Sequence, residues 1–576
     1  MPQLEQKYRT QSLIQFVLAV VLLVLINVLA NARIGGTALY GALDLTEDQR
    51  FTLTDNTVEQ LEDLEERLTV RILLTGKLPA NYERLKEKVA DLLLDFNGYT
   101  DKIEWEFSDP LSGDIEVVRE RQLQLQEDYG IVPVNVYSST SAAERSLNAV
   151  YPYAVLTYGT RQRIIPFLAP RLPGMGEAQR LNQAESLLEY NFSRAIEGLT
   201  NNDKPLVGFT VGHGELPKVR TSSLYSSLQE DYDLGPVNLD SFATISTEIK
   251  LLIVAKPTVP FSEFDAFKLD QYVMNGGKVI WAIDAVAMDL DSLQGRNEFY
   301  PGSRQTGLED IFFKYGFRLP PTLALDLSST RISIVVGQGP GGPNIQPVNF
   351  PYNVKAIPQG GHPIIKNLDP IDLKFPTVIE SVNDADNKVK KTVLLQTSPR
   401  SRRKRLPAPI DLDAQKYDVD LDRFNENALP LAYLLEGTFT SYYANRLKRE
   451  NEDALREGGI DFKAESVPTR MIIVADGDVM SNELSKDYIY HPLGYNIYDK
   501  FQYANKTFLL NAIEYLLDPD GVIGARGKEV RLRLTDKEAA VADATYWRLI
   551  NVGLPLVLLA LFGFVFNYLR KRRYAR

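Results

Sequence analysis

The chain has 576 residues, of which 44% are hydrophobic and 10% aromatic. A chain of this length is too long to fold around one ordinary hydrophobic core, so we expect several domains. The formal net charge of −11 argues against a nucleic-acid-binding protein, because such proteins need a basic face. The sequence contains no cysteine, which excludes thiol catalysis, disulfide bonds and cysteine-ligated metals.

The first apolar segment, residues 12–32, predicts a transmembrane helix. Its sequence, SLIQFVLAVVLLVLINVLANA, spans about 30 Å as a helix, which is the thickness of one hydrocarbon core. Residues 1–11 include Lys7 and Arg9, and because positive charge stays on the cytoplasmic side, this end is predicted to be cytoplasmic. A cleaved signal peptide is the alternative, since the closing ANA resembles a cleavage site, but the long apolar core favours a retained anchor.

Residues 33–200 predict an N-terminal α/β domain. Thr54 is placed to cap a helix that ends near Leu64. The segments LTVRILL, ANYERLKEKVADLLLDFNGY and KIEWEFSDP then read as strand, helix and strand. These three form a βαβ unit, similar to a thioredoxin-like fold without its redox cysteines. The segment YAVLTYGTRQRIIPFL predicts a hairpin, and NQAESLLEYNFSRAIEGLT predicts one amphipathic helix.

Strands alternate with helices again over residues 201–330, which predicts the first part of a doubly wound sheet. The segments PLVGFTV, IKLLIVAKP and KVIWAID read as buried strands, and Ser262 is placed to cap a helix. Residues 331–465 are rich in Gly and Pro, and they predict an irregular but β-rich insertion into this sheet. The α/β pattern returns over residues 466–530, with RMIIVADGD as a strand and NKTFLLNAIEYLLD as a helix.

The chain is predicted to end in a second membrane anchor. Residues 531–547 form a membrane-proximal stalk, residues 548–569 a second transmembrane helix, and residues 570–576 a basic cytoplasmic tail. With both ends cytoplasmic, the acidic body between the two spans is predicted to lie in the periplasm, outside the inner membrane of a bacterium. A buried core helix is the weaker alternative for the second span.

Three polar segments follow predicted strands, at the edge of the sheet where ligands of open α/β proteins bind. They are Gly212-His213-Gly214-Glu215, Asp284, and Asp476 with Asp478. We interpret them as a non-catalytic recognition crevice. The alternatives are His213 as a general base, His213 with carboxylates as a metal site, or a tight turn that needs glycine. No sharp turn with a nucleophilic Ser or Cys follows these strands. We therefore predict no catalytic, cofactor-binding or metal-binding residues.

Six residues inside the two spans are candidates for docking on another membrane helix, because small and polar residues mediate helix packing in a bilayer. They are Asn27, Asn31, Asn551, Gly553, Gly563 and Asn567. The alternative is that these residues have no docking role and are simply tolerated near the ends of a membrane span. The Gly-rich segment GQGPGGP lacks the Lys-Ser/Thr of a phosphate-binding loop, so ATP hydrolysis is expected in a separate subunit.

The segments LDLTEDQRFTL, FTVGHGELP, FDAFKLDQYVMNGGKVIWAID and WRLINVGLPLVLLALFGFVFNYLRKRR together resemble the GldG family. These proteins are auxiliary, substrate-binding-like components of a gliding-associated ABC transporter. The resemblance implies a multi-span permease partner, a separate cytoplasmic ATPase and a role in gliding motility or associated secretion. It also implies a central domain similar to the GIFT domain of ciliary transport proteins, a flavodoxin- or amidotransferase-like sheet without catalytic residues.

The resulting prediction is an α/β protein with two membrane spans and a periplasmic body that acts as a non-enzymatic transporter subunit. No cofactor and no nucleic acid are expected, whereas an envelope or periplasmic partner is. Two alternatives remain open: a periplasmic enzyme that uses the Gly212–Glu215 crevice, and an envelope scaffold protein without a transport role.

Overall fold

A computed structural model describes residues 52–527 with short gaps, the helix at 544–574, and a few residues before 52. The gaps lie at 142–143, 169–175, 202, 294–297, 340–341, 383–387, 413–420, 448, 458, 485–489 and 519–520. The earlier described residues are 17–18, 20–22, 33–34 and 37–38. The chain divides into two compact units, Met1–Lys528 and Glu529–Arg576.

The N-terminal part of the first unit contains a four-stranded sheet. Its elements are α1 (Asp55–Glu62), β1 (Leu68–Ile72), α2 (Ala80–Phe96), β2 (Ile103–Phe107), α3 (Ile115–Tyr129), β3 (Val134–Ser141), β4 (Glu144–Val150), β5 (Tyr153–Tyr158), β6 (Arg161–Pro166), α4 (Glu177–Ser186) and α5 (Leu188–Thr200). The sheet order is β2-β1-β5-β6, in which β1 is parallel to β2 and antiparallel to β5. Strands β3 and β4 form a separate hairpin.

Local sequence signals explain several of these elements. The side chain of Thr54 accepts a hydrogen bond from the backbone N–H of Thr57, which caps α1 as predicted. In α2, Leu85, Val89 and Leu93 recur at four-residue spacing and are fully buried, so this face of the helix covers the sheet. The predicted βαβ unit and hairpin are present. The single helix predicted before residue 200 is instead two helices that meet at Leu187.

The central part is built on a ten-stranded sheet. Its elements are β7 (Leu206–Val211), α6 (Ser222–Leu228), β8 (Asp233–Asn238), β9 (Ile249–Ala255), α7 (Glu263–Met274), β10 (Lys278–Ala282), α8 (Glu309–Lys314), β11 (Thr322–Asp326), β12 (Ser329–Gly339), β13 (Gly342–Pro358), β14 (Ile371–Lys374), β15 (Val389–Gln396), β16 (Ser401–Arg405), β17 (Pro430–Gly437), α9 (Arg449–Glu457), β18 (Thr469–Val474) and α10 (Asn505–Leu517). Its parallel half has the order β8-β7-β9-β10-β18. The predicted alternation of strands and helices is therefore confirmed for this half.

Two-residue strands complete the body outside these sheets. They are Arg33–Ile34 with Thr37–Ala38, Glu298–Phe299 with Ile410–Asp411, Phe317–Arg318 with Glu380–Ser381, and Tyr495–Asn496 with Phe501–Gln502. Strands β11 and β16 pair with each other, also away from the large sheet.

Residues 331–465 are rich in strands, as the sequence predicts, but most of these strands are regularly paired, which corrects the expectation of an irregular insertion. They supply β17, β15 and β13, which continue the large sheet beyond β18 with antiparallel pairing. Their apolar residues fill the core: Leu394 and Leu434, for example, are fully buried. The Gly/Pro-rich stretch that suggested irregularity lies largely within the paired strands β12 and β13, where Gly339 pairs with Gly342. Glycine and proline therefore did not prevent strand pairing here.

Both faces of the central sheet are covered. In β9, Leu251 and Ile253 belong to one hydrophobic cluster, and Leu252 and Val254 belong to another. Because successive side chains of a strand point to opposite faces, this continuous apolar run is typical of a strand buried on both sides.

The second unit contains α11 (Ala544–Tyr574). Within the described residues, its segment Leu549–Arg573 is the one helix long and apolar enough to cross a membrane. It coincides with the predicted second span, 548–569. The predicted first span, 12–32, lies outside the described residues apart from five helical positions, and the stalk predicted before residue 544 lies outside them as well.

Candidate functional site

The carboxyl ends of four neighbouring parallel strands, β7, β9, β10 and β18, meet at one edge of the central sheet. From β7 the chain first adds β8 on one side of the strand and then crosses over to add β9 on the other side. The direction in which the sheet grows therefore reverses at β7. In open α/β sheets, such a reversal marks a crevice where ligands bind. The three predicted polar segments follow β7, β10 and β18 at this edge.

The turn after β7 requires its two glycines. Gly212 and Gly214 have φ angles of 112° and 72°, in the region that residues with a Cβ rarely adopt. A Cβ on Gly214 would also lie 2.1 Å from Oγ1 of Thr258. This close approach lets the carbonyl of His213 accept hydrogen bonds from the backbone N–H groups of Thr258 and Val259, both at 2.9 Å. The turn therefore ties the end of β7 to the loop after β9.

The side chain of His213 is packed inside the protein. It is 6% exposed, and its ring stacks on Phe261 with centroids 4.1 Å apart. Its Nε2 lies 3.5 Å from Oδ2 of Asp265, and its Nδ1 lies 3.7 Å from Oε1 of Glu215. The other carboxylate oxygen of Glu215 accepts a hydrogen bond of 2.7 Å from the backbone N–H of His213. Glu215 thus stabilises the turn itself.

The contacts around His213 do not form a nucleophile with its base. Asp265 lies between His213 and Ser262, and the hydroxyl of Ser262 donates to Asp265 at 2.6 Å. A serine activated by histidine needs the histidine next to the hydroxyl, with the carboxylate behind it. Burial raises the pKa of Asp265, but hydrogen bonds from Ser262 and Lys268 outweigh it and leave the pKa lowered. Asp265 is therefore an anion in the first turn of α7, whose N-cap is Ser262.

The structure brings Asp284, Asp476 and Asp478 together, as the topology predicted. The backbone N–H of Gly477 donates to Oδ1 of Asp284 at 2.6 Å, and that of Asp478 donates to Oδ1 of Asp476 at 2.8 Å. Lys256 lies between two of these carboxylates: its Nζ is 2.5 Å from Asp478 and 3.5 Å from Asp284. We call these four side chains the aspartate cluster.

The side chains of the aspartate cluster are buried, and burial shifts their pKa values. Burial raises the pKa of Asp284 to about 6, although Lys256 opposes the shift. Burial and the carboxylates of Asp478 and Asp284 raise the pKa of Asp476 above its ordinary value. Burial alone would lower the pKa of Lys256, but Asp478 and Asp284 outweigh it and raise the pKa. Lys256 therefore stays charged and compensates the carboxylates.

Sequence reasoning missed Lys256, Lys374 and Glu483. Lys256 directly follows a continuous apolar strand, so the same topological argument that selected Asp284 could have selected it. Lys374 donates its backbone N–H to Oδ2 of Asp476 at 2.7 Å and forms an ion pair with Glu483 through its side chain. These two residues carry no local signal, because they reach the cluster only through the fold.

The predicted site residues form two groups and not one. His213 and Glu215 contact the start of α7, whereas the aspartate cluster contacts Lys374 from β14. Two cavities, of 570 Å³ and 220 Å³, are lined by other residues. Among the described residues, no group of three or more His, Cys, Asp or Glu side chains is arranged to hold a metal ion.

Four predicted docking residues lie on α11, and Asn27 and Asn31 lie outside the described residues. At about 100° per residue, Gly553, Gly563 and Asn567 fall within one face about 80° wide, and Asn551 falls on the opposite face. A Cβ on either glycine would meet no atom within 4 Å. The structure therefore separates Asn551 from the other three.

Comparison with known families supplies the identity. Residues 204–512, more than half of the chain, match the family described as an ABC-type uncharacterized transport system, an auxiliary component. The chain belongs to this family. Residues 47–157 also match a domain of unknown function. No curated protein matches the chain.

Several solved structures share weak similarity with this ABC transport auxiliary protein. One is an mmIFT52 N-terminal domain, with 13% identity, a TM-score of 0.30, and coverage of 54% of this chain and 97% of the other. Another is the exo-beta-1,4-mannosidase Op5Man5 from Opitutaceae bacterium strain TAV5, with 13% identity, a TM-score of 0.20, and coverage of 52% and 35%. These TM-scores are too low to indicate a shared function.

Family membership and the apolar α11 together indicate a membrane-associated auxiliary component of an ABC transport system. Such systems include permease and ATPase components, with which an auxiliary component associates. An auxiliary role in transport favours a non-enzymatic protein.

Proposed function

We propose that this protein is a non-enzymatic auxiliary subunit of an inner-membrane ABC transporter of the GldG type, which serves gliding motility or associated secretion. Two membrane helices dock on the permease, a separate subunit hydrolyses ATP, and the periplasmic body recognises a substrate or an envelope partner. The family match over residues 204–512 supports the transporter role. The GldG assignment is supported by the resemblance of the segments at both ends of the chain.

The sheet topologies support the proposed domain folds. The order β8-β7-β9-β10-β18 is second, first, third, fourth, fifth along the chain, as in flavodoxin-like sheets, which supports a GIFT-like central domain. The order β6-β5-β1-β2, with β5 antiparallel to its neighbours, supports a thioredoxin-like N-terminal domain. Both folds host many unrelated functions, so the function itself rests on the family and on α11.

Permease docking is supported by small and polar residues that lie on one side of α11. Gly553, Ala560, Gly563 and Asn567 lie along one stripe of this helix, which also contains Leu549 and Leu556. Small residues let a second helix approach closely in a bilayer, and an asparagine can hydrogen-bond across the contact. The remaining surface of the helix is dominated by exposed leucine, valine and phenylalanine, which suit contact with lipid.

The crevice residues are proposed to shape a recognition surface and to form no bonds with a substrate. The contacts of Glu215 with the turn and of Asp265 with Ser262 support this assignment, because they use these carboxylates inside the protein. Asp478 and Lys256 are the partly accessible members of the aspartate cluster, with side chains 17% and 11% exposed. They are the proposed contact points for a partner.

The docking proposal is tested by co-purification from native membranes in mild detergent. The triple variant Gly553→Leu, Gly563→Leu, Asn567→Leu keeps α11 apolar but fills the stripe. It is expected to lose at least tenfold of the co-purified permease. The matched control is Asn551→Leu on the opposite face, which is expected to co-purify like the wild type. Equal recovery with the triple variant would reject docking through this face.

The proposed location of the body is tested separately with protease. Added to intact spheroplasts, protease is expected to digest residues between the two spans and to leave the basic tail protected. Digestion that occurs only after lysis would overturn the periplasmic assignment.

A further inference from the structure

The connection between β8 and β9 leaves part of the central sheet without a covering helix. The parallel connections after β7 and after β9 contain α6 and α7, as such crossovers usually do. Residues 239–248, which join β8 to β9, contain one short 3₁₀ turn, Leu239–Ser241, and no α-helix. A cavity of 570 Å³ lies here, and it is lined by β7, β8, this connecting loop, α7 and residues 459–461.

The floor of this cavity includes the face that the edge strand β8 turns toward α7. Val237 of β8 belongs to the same hydrophobic cluster as Tyr272 of α7. Gly235 lies two residues before Val237 and therefore faces the same side of the sheet. A Cβ on Gly235 would meet no atom within 4 Å, although the residue lines the cavity. The glycine thus leaves open a space that a larger side chain would fill.

Two polar side chains of α7 fix the connecting loop at the edge of the cavity. The Nζ atom of Lys268 donates to the carbonyl of Leu239 at 2.6 Å, where the loop begins. The hydroxyl of Tyr272 donates to the carbonyl of Ile249 at 3.0 Å, where the loop ends. Because both ends of the loop are bonded to the same helix, the loop and α7 form a fixed frame around the cavity.

The same contacts use up the polar groups of the helical wall. Lys268 also forms an ion pair with Asp265 at 2.9 Å, so its charge is compensated. The side-chain amide of Gln271 accepts a hydrogen bond from the backbone N–H of Lys463 at 2.8 Å and donates to the carbonyl of that residue at 3.1 Å. The other charged residue of the described lining, Asp461, is exposed to solvent. The interior therefore offers a ligand apolar surface and no uncompensated charge.

The mouth of the cavity exposes an aromatic ring. Phe242 of the connecting loop lines the cavity and is 59% exposed. Thr244, Ser246 and Thr247 follow it in the lining, and these exposed residues carry neutral hydroxyl groups. Covering an exposed phenylalanine removes apolar surface from water, which is favourable. The mouth therefore suits a ligand whose outer end is apolar or carries an uncharged polar group.

We propose that this cavity binds one small, uncharged and largely apolar molecule, which rests on Gly235 and Val237 and covers Phe242. Its volume of 570 Å³ falls within the roughly 300–1,000 Å³ of small-molecule sites, which are mostly apolar with a few polar groups. A charged ligand fits less well, because it would lose its hydration without meeting an opposite charge. The proposal is independent of the transporter role, since it rests on the lining alone.

Two fluorescent probes with the same ring system test the proposal on the full chain in detergent. N-phenyl-1-naphthylamine is uncharged, and its 8-sulfonate carries one negative charge. Partitioning into micelles rises linearly with probe concentration, so a saturable component of the fluorescence reports a site on the protein. One saturable site per chain is expected for the uncharged probe, and binding about tenfold weaker or less for the sulfonate. Absence of a saturable component for the uncharged probe, or equal affinity of both probes, would overturn the proposal.

Variants locate the site. Gly235→Leu fills the open space of the floor and is expected to weaken binding about tenfold. The matched control is Gly302→Leu, because a Cβ on Gly302 also meets no atom within 4 Å and this residue lies outside the cavity lining. It is expected to bind like the wild type. Circular dichroism shows whether each variant is folded.

Phe242→Ala provides a second test that does not depend on the floor. The ring is exposed, so its removal is expected to leave the fold intact and to weaken binding about threefold. If Gly235→Leu does not fold, this variant decides the location. Wild-type affinity in every folded variant of Gly235 and Phe242 would place the probe elsewhere and reject the assignment. Neither result depends on whether the permease co-purifies.

Discussion

The Nζ atom of Lys256 lies 2.5 Å from Oδ2 of Asp478, although 222 residues separate them in the sequence. The pair forms because β9 and β18 end at the same edge of the sheet, and Asp284 after β10 completes the contact at 3.5 Å. Gly477 makes room for it, since a Cβ there would lie 2.5 Å from the Cβ of Lys256. The lysine thus joins three strand ends of the central sheet.

Replacing this lysine is expected to destabilise the protein. Lys256→Ala leaves Asp284 and Asp478 without their cation in a largely buried place, which should lower the free energy of unfolding by about 2–4 kcal/mol. Thermal and urea unfolding of the purified chain measure the change. The control Lys250→Ala, at the exposed start of the same strand, should change stability by less than about 0.5 kcal/mol. Equal effects of the two variants would show that the cluster does not stabilise the fold.

The second prediction concerns the stability of the turn after β7, which contains Gly212 and Gly214. Gly214→Ala forces a Cβ into a backbone with a φ angle of 72° and against Thr258, so a loss of about 2–4 kcal/mol is expected. Gly235→Ala in β8 is the control, because a Cβ there meets no atom within 4 Å. Circular dichroism melting curves compare the two. A Gly214 variant as stable as the Gly235 variant would contradict the strained turn.

His213 is expected to act in folding more than in chemistry. His213→Ala removes a buried ring that stacks on Phe261, and the cavity should cost about 1–3 kcal/mol. Recovery of the permease in co-purification should stay close to that of the wild type. His491→Ala, with a partly exposed ring, is the control for stability. Wild-type stability together with a lost activity or lost partner would instead favour a direct role for the histidine.

Glu197 should make stability depend on pH. Burial raises its pKa in the folded protein to about 7, above the ordinary 4.5, so the folded state holds the proton more tightly, and stability is lost as pH rises from about 4.5 through 7. At pH 8 the penalty is about 3 kcal/mol. Glu197→Gln should therefore raise the melting temperature at pH 8 and leave it nearly unchanged at pH 4.5.

The exposed Glu116→Gln is the control for this pH series and should leave the melting temperature unchanged at both pH values. A Glu197 variant that gains no stability between pH 4.5 and pH 8 would show that this carboxyl titrates normally.

Local patterns predicted many elements of the fold. The caps at Thr54 and Ser262 and the helical face of Leu85, Val89 and Leu93 follow from residues within one or two turns of each other. The Gly/Pro-rich region was predicted to be β-rich but irregular, and only the irregularity was wrong, because residue composition does not show how the strands pair. The buried apolar residues of β15 and β17 were the signal against an irregular segment.

The sequence by itself determined many of the strands and helices, the acidic character of the chain, and the apolar segment that becomes α11, since each depends on neighbouring residues. Only the tertiary structure decided that β17 joins β18 antiparallel, that Lys256 meets Asp478, and that Glu514 meets Tyr190. These contacts join segments tens to hundreds of residues apart. Their formation depends on how whole layers pack and on which charges that packing buries, and no local pattern contains that information.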